Sequence, residues 1–258
     1  MTSVSVVILT YNEERHIARA IGVVSGIASE IFVIDSGSSD RTIALAQRAG
    51  ARVLQHPFVN YSKQFQWALE NAPITADWVM RLDADEIVEP DLAAEIAAKL
   101  PNLPPDVTGV NLKRKHIFMG RWIKHGGRYP LTLLRIWRRG KAVIEDRWMD
   151  EHMRLTSGRA VTFDGGFADC NLNDLTYFID KHNKYATREA VDVLNQRYHL
   201  FARDEALSAE GSSRQAAFKR FVKERIYNRL PFWLGPLCYF LYRYVLQLGF
   251  LDGRPGLV

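Results

Sequence analysis

The sequence predicts an α/β fold with a mostly parallel central sheet flanked by helices. Three observations carry this. Short apolar runs recur at Val4–Leu9, Glu30–Asp35 and Val79–Asp83, and apolar runs of this length bounded by polar residues read as buried strands. Helical patterns alternate with them every roughly 15 to 25 residues, the pattern of parallel strands joined by crossovers. Each run ends in a polar or acidic residue, Thr10, Asp35 or Asp83. Ligands of such sheets bind outside the carboxyl ends of the strands, so topology alone places these three residues at one crevice.

Taken in order, the first strand runs into Thr10-Tyr11-Asn12-Glu13-Glu14. Asn12 is expected to cap the next helix, with Glu13 and Glu14 at its positive end. The second strand is followed by Ser36-Gly37-Ser38-Ser39-Asp40-Arg41-Thr42, a small, polar, turn-forming loop, and Asp40 is expected to cap a helix reaching about Ala49. A third helix opens at Tyr61 and carries Lys63 and Gln64. The run Val79-Met80-Arg81-Leu82-Asp83-Ala84-Asp85-Glu86 ends abruptly in acids. Asp83 and Asp85 are two apart, so on an extended chain they point the same way. Two such carboxylates form a hard-oxygen site for Mg²⁺ or Mn²⁺ that also takes oxygens from a substrate diphosphate; the plainer alternative is that they solvate a strand end.

Further on, residues 174–200 keep helical spacing through Leu175, Phe178, Ile179, His182 and Tyr185, which predicts a long helix packing across the sheet. His182 reads as a packed or capping histidine. Residues 203–214 read as a linker. Residues 216–229 form a basic amphipathic pattern, and residues 230–251 are apolar and aromatic. Pro231, Pro236, Arg243 and Gln247 argue against a plain transmembrane helix, so the pair reads as an interfacial membrane anchor or, alternatively, as a helix packed on the core.

Composition sets limits. The chain has 258 residues, 47% of them hydrophobic, enough for one large or two small domains with an ordinary core. Two distant cysteines and the lack of a basic-then-apolar leader predict a reduced, cytoplasmic setting, peripheral at the inner face of the membrane. Residues 1–105 carry net charge −5 and residues 106–258 carry +10. The acidic part suits a metal and nucleotide, the basic part an anionic partner. No nucleic-acid motif is visible, which favours an anionic lipid headgroup or phosphorylated glycolipid over nucleic acid. No Gly-x-Gly-x-x-Gly follows an early strand, which disfavours a dehydrogenase.

The segments Thr10–Glu14, Asp35–Asp40 and Leu82–Glu86 resemble the family 2 glycosyltransferases with a GT-A fold. Residues His116–Gly127 and Leu133–Gly140 resemble the lipopolysaccharide core β-1,4-glucosyltransferase group, and the resemblance spans roughly residues 3–200. It implies a UDP-sugar donor held by Thr10, Tyr11, Asn12, Glu13, Asp35, Ser36, Gly37, Lys63, Gln64, Arg81 and Asp83. It implies a divalent metal on Asp83 and Asp85. A base must take the acceptor proton; Glu145, Asp146, Asp150 and Glu151 are the candidates, with Glu151 favoured and Asp146 second. Relatives carry His-Glu where this chain has Asp150-Glu151, so His152 is the remaining candidate for a histidine metal ligand. The acceptor is expected on Trp122, His125, Gly127, Arg128 and Tyr129, where flat rings suit a sugar and cations suit phosphates. The implied layout is a GT-A unit over 1–200, divided at 105/106 into nucleotide and acceptor halves, and a C-terminal helical extension over 201–258. The implied activity is inverting transfer of glucose to a lipid-linked bacterial glycan. Its rivals are a sugar-nucleotide pyrophosphorylase, which would need a Gly-rich basic loop after the first strand, and a non-catalytic nucleotide-binding protein at the membrane.

Overall fold

A computed structural model describes residues 3–145, 151–198, 200, 231 and 234–258. The chain opens with β1 (Val4–Thr10), α1 (Ile17–Val24), β2 (Glu30–Asp35), α2 (Thr42–Arg48), β3 (Arg52–Gln55), α3 (Tyr61–Asn71) and β4 (Trp78–Asp83). Next come β5 (Glu86–Val88), α4 (Pro90–Lys99), β6 (Val107–Phe118), β7 (Arg121–Ile123), β8 (Leu131–Arg138), β9 (Ala142–Ile144), β10 (Met153–Leu155), β11 (Arg159–Cys170) and α5 (Leu175–Tyr198). The C-terminal part holds α6 (Leu234–Leu241), a π-helical turn (Tyr242–Leu246), a 3₁₀ turn (Gly249–Asp252) and α7 (Arg254–Leu257).

One sheet of order β3-β2-β1-β4-β8-β6-β11-β5 runs through the molecule, with β7 on β6; β9 and β10 form a separate ribbon. Strands β1 to β4 pair in parallel. The antiparallel β4–β8 contact then opens a mixed half, in which β6 and β11 are parallel and β8, β7 and β5 antiparallel to their neighbours. Both faces of the parallel half are buried, which is why β1 reads as a continuous apolar run. Val6 and Ile8 face one core with Ile17, Ile21, Val24, Leu92 and Ile96. Val7 faces the other with Phe65, Ala68, Trp137 and Ile144.

Two local expectations fail for physical reasons. Asn12 does not cap α1, which begins at Ile17 without a side-chain cap; Asn12 has φ 56 and turns its amide to the loop after β2. Nor does α5 pack across the sheet. Leu175, Tyr177, Ile179, Val191 and Leu194 are exposed, and its described attachments are few: Phe178 against Phe118 at 4.5 Å, Lys181 Nζ 3.9 Å from Asp85, and the buried Asn195. The basic helix expected over 216–229 and the linker over 203–214 lie outside the described residues. Among the described residues no helix is long and apolar enough to cross a membrane.

Strand β11 loses register with β6 between Thr162 and Gly166. Such irregularities free backbone donors, and here Glu95 of α4 collects them, accepting from Asp164 N at 3.1 Å and Gly165 N at 2.7 Å. Helix α4 comes so close that a Cβ on Gly165 would lie 2.6 Å from Leu92 Cα and 2.7 Å from Leu92 N. Backbone cannot yield as a side chain does, so Gly165→Ala should lower stability by about 1–3 kcal/mol. Urea unfolding of the variant checks this; a midpoint equal to wild type would show that α4 is not seated as described.

Candidate active site

The carboxyl ends of β1, β2 and β4 meet at one edge. Thr10 pairs with Asp35 and Leu9 with Asp83 in the strand registers. The two loops leaving β1 and β2 are tied together by side chains. Thr10 Oγ1 donates to Asp35 Oδ2 at 3.0 Å, and Asn12 N donates to Ser38 Oγ at 2.8 Å. Asn12 Oδ1 accepts from Ser39 N at 2.9 Å. Glu13 N donates to Thr42 Oγ1 at 2.8 Å, and Glu14 N to Asp40 Oδ2 at 3.1 Å. Asp40 also accepts from Thr42 N at 2.9 Å, but the N-cap of α2 is Arg41 and the helix has no side-chain cap, so Asp40 falls one residue short of the capping position expected of it. Tyr11 is exposed beside this seam.

Asp35 is fully buried, and its oxygens are taken by the loop it supports: Gly37 N at 2.9 Å, Ser38 N at 2.8 Å, Thr10 and Ser38 Oγ. Gly37 adopts φ +88, a conformation glycine holds without strain, which aims its N–H at that carboxylate. Gln64 is likewise a brace, donating to Ser36 Oγ at 3.1 Å and His56 O at 3.0 Å while its carbonyl meets His56 Nδ1 at 2.7 Å. Lys63 stands exposed on the first turn of α3, its backbone N–H capped by Asn60.

Asp83 and Asp85 part company. Strand β4 ends at Asp83, and Ala84-Asp85 make a turn before β5, so the two-residue alternation that would have aligned them is broken. Asp83 accepts from Tyr61 OH at 2.6 Å and Arg135 Nη2 at 3.2 Å, with Arg81 Nε at 3.5 Å. Arg135 also meets the buried Glu86 at 2.6 Å, and Glu86 accepts from Asp83 N at 2.9 Å. Asp85 turns elsewhere: Asn171 Nδ2 donates to it at 2.9 Å, and Lys181 Nζ is 3.9 Å away. Beyond lies Asp169, near His116 at 3.4 Å and Arg114 at 3.9 Å.

Electrostatics separates these acids. Burial opposes ionisation of Asp83, yet Arg135 and then Arg81 overcome it and hold its carboxyl far below the usual range. Burial pushes Glu86 up to about 8, against the pull of Arg135. Burial, then the charge of Asp169, pushes Asp85 upward, only partly offset by Lys181. Asp169 stays low despite burial because His116 and Arg114 favour its charge. Glu86 and Asp85 are thus the acids whose negative charge is least compensated; Glu86 is bound to Arg135, which leaves the hard oxygens of Asp85 to suit a divalent cation. Asp83 is engaged by Arg135 and Tyr61. His152 stands beside Glu145, whose N–H donates to His152 O at 3.1 Å. Asp83, Asp85 and His152 are not grouped: among the described residues no three or more His, Cys, Asp or Glu side chains are placed to hold a metal ion.

Of the base candidates, Asp146 and Asp150 lie outside the described residues. Glu151 is half-buried; burial opposes the charge of the Arg81 guanidinium, and Tyr61, Asp83 and then Glu151 raise it. The acceptor residues gather on β7 and the loop after it. The Trp122 ring carries Lys124 Nζ at 4.4 Å, Lys115 Nζ at 4.8 Å and the edge of Tyr129 at 5.0 Å, so much of its surface is already engaged. Gly126 and Gly127 have φ +63 and +68, and what approaches Gly126 closely is the C-terminal segment. Tyr61, Arg135, Asp169, Asn171 and Lys181 escaped sequence reasoning. Arg135 had a signal: a lone guanidinium inside the apolar run Leu133–Trp137 needs a buried counter-charge.

A parallel half with acids at its strand ends, continued in one sheet by a mixed half, is a GT-A glycosyltransferase fold. The model of glycosyl transferase family 2 matches residues 5–164, and the chain belongs to that family. An uncharacterized glycosyltransferase of Rickettsia felis is 40% identical over 96 residues, 37% of this chain and 33% of the relative. The chain thus aligns with only about a third of the length of such relatives. LpsC of Rhizobium meliloti, a lipopolysaccharide core biosynthesis glycosyltransferase, is 29% identical over 199 residues, 72% of this chain and 70% of LpsC. Among solved structures, S. aureus TarS 1-349 in complex with UDP-GlcNAc aligns with TM-score 0.49 and 15% identity, over 67% of this chain and 60% of that one.

The raised Glu86 carboxyl has a consequence for stability. The folded state holds this proton above the ordinary glutamate range, so its contribution is full below the unfolded value and declines as pH rises toward 8. Glu86→Gln removes the titration. Its melting temperature should fall less than that of wild type between pH 5 and pH 8; parallel curves would show that Glu86 stays ionised throughout.

Proposed function

We propose that the chain transfers a sugar, glucose, from its UDP donor to a hydroxyl of a lipid-linked bacterial glycan such as the lipopolysaccharide core, with inversion at the anomeric carbon. The observation that carries this is the convergence of the β1, β2 and β4 ends, with Thr10, Asp35 and Asp83, on one edge. The resemblance of the motifs to UDP-sugar enzymes supports the donor, and the likeness to LpsC supports the glycan.

The tied loops from Thr10 to Glu13 and Asp35 to Gly37 form the nucleotide cradle, braced beneath by Gln64, with Lys63 at its rim. Asp35 acts mainly by fixing the loop that faces the uridine. Arg81, packed 4.4 Å over Tyr61, and Asp83 set the floor beside the ribose. Asp85 would hold a divalent cation, Mg²⁺ or Mn²⁺, which would supply charge neutralisation for the departing UDP. The acceptor hydroxyl forms its bond to the anomeric carbon opposite the breaking bond to UDP. Glu151 takes the hydroxyl proton. Exposed Tyr239, Phe240, Tyr242 and Leu246 support a peripheral seat at the cytoplasmic face of an anionic membrane.

The test is UDP release from a panel of UDP-sugars, with Mn²⁺ or EDTA, for wild type, Asp85→Ala and Glu151→Gln. One donor should be hydrolysed slowly in Mn²⁺ only, and Asp85→Ala should abolish this. Glu151→Gln should still bind UDP while transfer to an acceptor falls by about 10²–10⁴-fold. Absence of both UDP binding and turnover would sink the reading.

A further inference from the structure

The C-terminal segment is bound to the acceptor loop by specific polar contacts. Asp252, almost fully buried, accepts from His125 N at 2.7 Å and His125 Nδ1 at 2.9 Å. Gly126 N donates to Gln247 O at 2.8 Å, and Arg243 Nε donates to Gly126 O at 2.7 Å. Between this segment, the loop and the start of α5 lies a cavity of about 290 Å³, near the lower end of ligand pockets.

Its lining divides by chemistry. His116, Arg128 and Arg243 supply cations or donors, and Phe118, Tyr239 and Phe240 supply an aromatic wall. Asp252 is the lining side-chain carboxylate among the described residues, and both its oxygens are committed to His125. Arg243 spends its Nε on a carbonyl and lies near the Tyr239 hydroxyl at 3.4 Å. Arg128 makes no described salt bridge. Arg128 is exposed at the rim of the cavity, where crowding by protein atoms and then the like charge of Arg243 depress its guanidinium. Two guanidiniums lining one cavity, neither in a described salt bridge, leave a surplus of positive charge that Asp169 offsets in part and an anion relieves. His116 joins the cavity to the crevice: it lines the one and pairs with Asp169 beside Asp85 in the other.

We propose that this cavity is an anion subsite binding a phosphate or diphosphate group carried by the acceptor, gripped by Arg128 and Arg243 against the aromatic wall. This rests on the acceptor reading above and names the chemistry the acceptor must carry. The phosphoryl group is that of a lipid carrier or of a phosphorylated sugar, and the test separates the two.

UDP binding in Mn²⁺ is measured first and tests the donor reading by itself. Calorimetric titrations of the full chain then use farnesyl phosphate, glucose 6-phosphate, farnesol and glucose, with saturating UDP and Mn²⁺ where UDP binds and without them where it does not. A phosphorylated probe should bind at least tenfold more tightly than its unphosphorylated partner. Arg128→Gln should weaken it about tenfold or more, with Arg128→Lys recovering part of the loss and its melting temperature confirming the fold. Tighter farnesyl phosphate identifies a lipid carrier; tighter glucose 6-phosphate identifies a phosphorylated sugar. Phosphorylated probes binding no better than their partners, or wild-type affinity in Arg128→Gln, would overturn the subsite.

Discussion

Arg135 reaches from β8, in the mixed half, to carboxylates at the end of β4 and start of β5, touching Asp83 at 3.2 Å and Glu86 at 2.6 Å. All three lie where the parallel and mixed halves join. A guanidinium taken out of water is tolerable only with its charge met; Asp83 and Glu86 meet it through Nη2, while Nε and Nη1 are buried without a hydrogen-bond partner among the described residues, so this contact fixes how the sheet continues past β4. Tyr61 and Arg81 then pack about Asp83, and Arg114 leans toward Glu86 at 3.6 Å. The crevice inherits its floor from this cluster. Asp85, one turn beyond it, is left as the acid with charge to offer.

The strands of the parallel half were legible because both faces are buried and the apolar runs are uninterrupted. The ends of those strands were legible too, as Thr10, Asp35 and Asp83 show. What lay past the ends was not. Asn12 has the chemistry of a helix cap, yet Ser39, 27 residues away, competes for the same oxygen and wins. Asp83 and Asp85 have the spacing of an aligned pair, yet a turn of two residues separates their directions. Asp35 and Gln64 look like ligand-binding side chains in sequence; in the fold their polar atoms are consumed in holding loops. Pairings such as Asp85 with Asn171, or Glu95 with Gly165, join residues whose separation in sequence carries no local signal.

The C-terminal segment shows the same limit. Its apolar, aromatic composition reads as an interfacial anchor or as a packed helix, and the described part combines features of both. Asp252, Arg243 and Gln247 bind it to the acceptor loop, while Leu237, Tyr242 and Leu246 remain exposed. Gly256 explains how so short a segment folds back on itself: a Cβ there would stand 2.3 Å from Gly249 O. The polar residues that argued against a simple membrane helix are the ones that attach it to the protein.

The contact between Asp252 and His125 spans 127 residues. Translation proceeds from the N-terminus, and segments fold as they emerge. The seam between the loops after β1 and β2, built from residues 10–42, can therefore close while much of the chain is unmade, whereas the loop after β7 lacks its contacts to Asp252 until that residue has left the ribosome. The crevice acquires its parts in a fixed order, the seam of the parallel half first and the contacts of the C-terminal segment last.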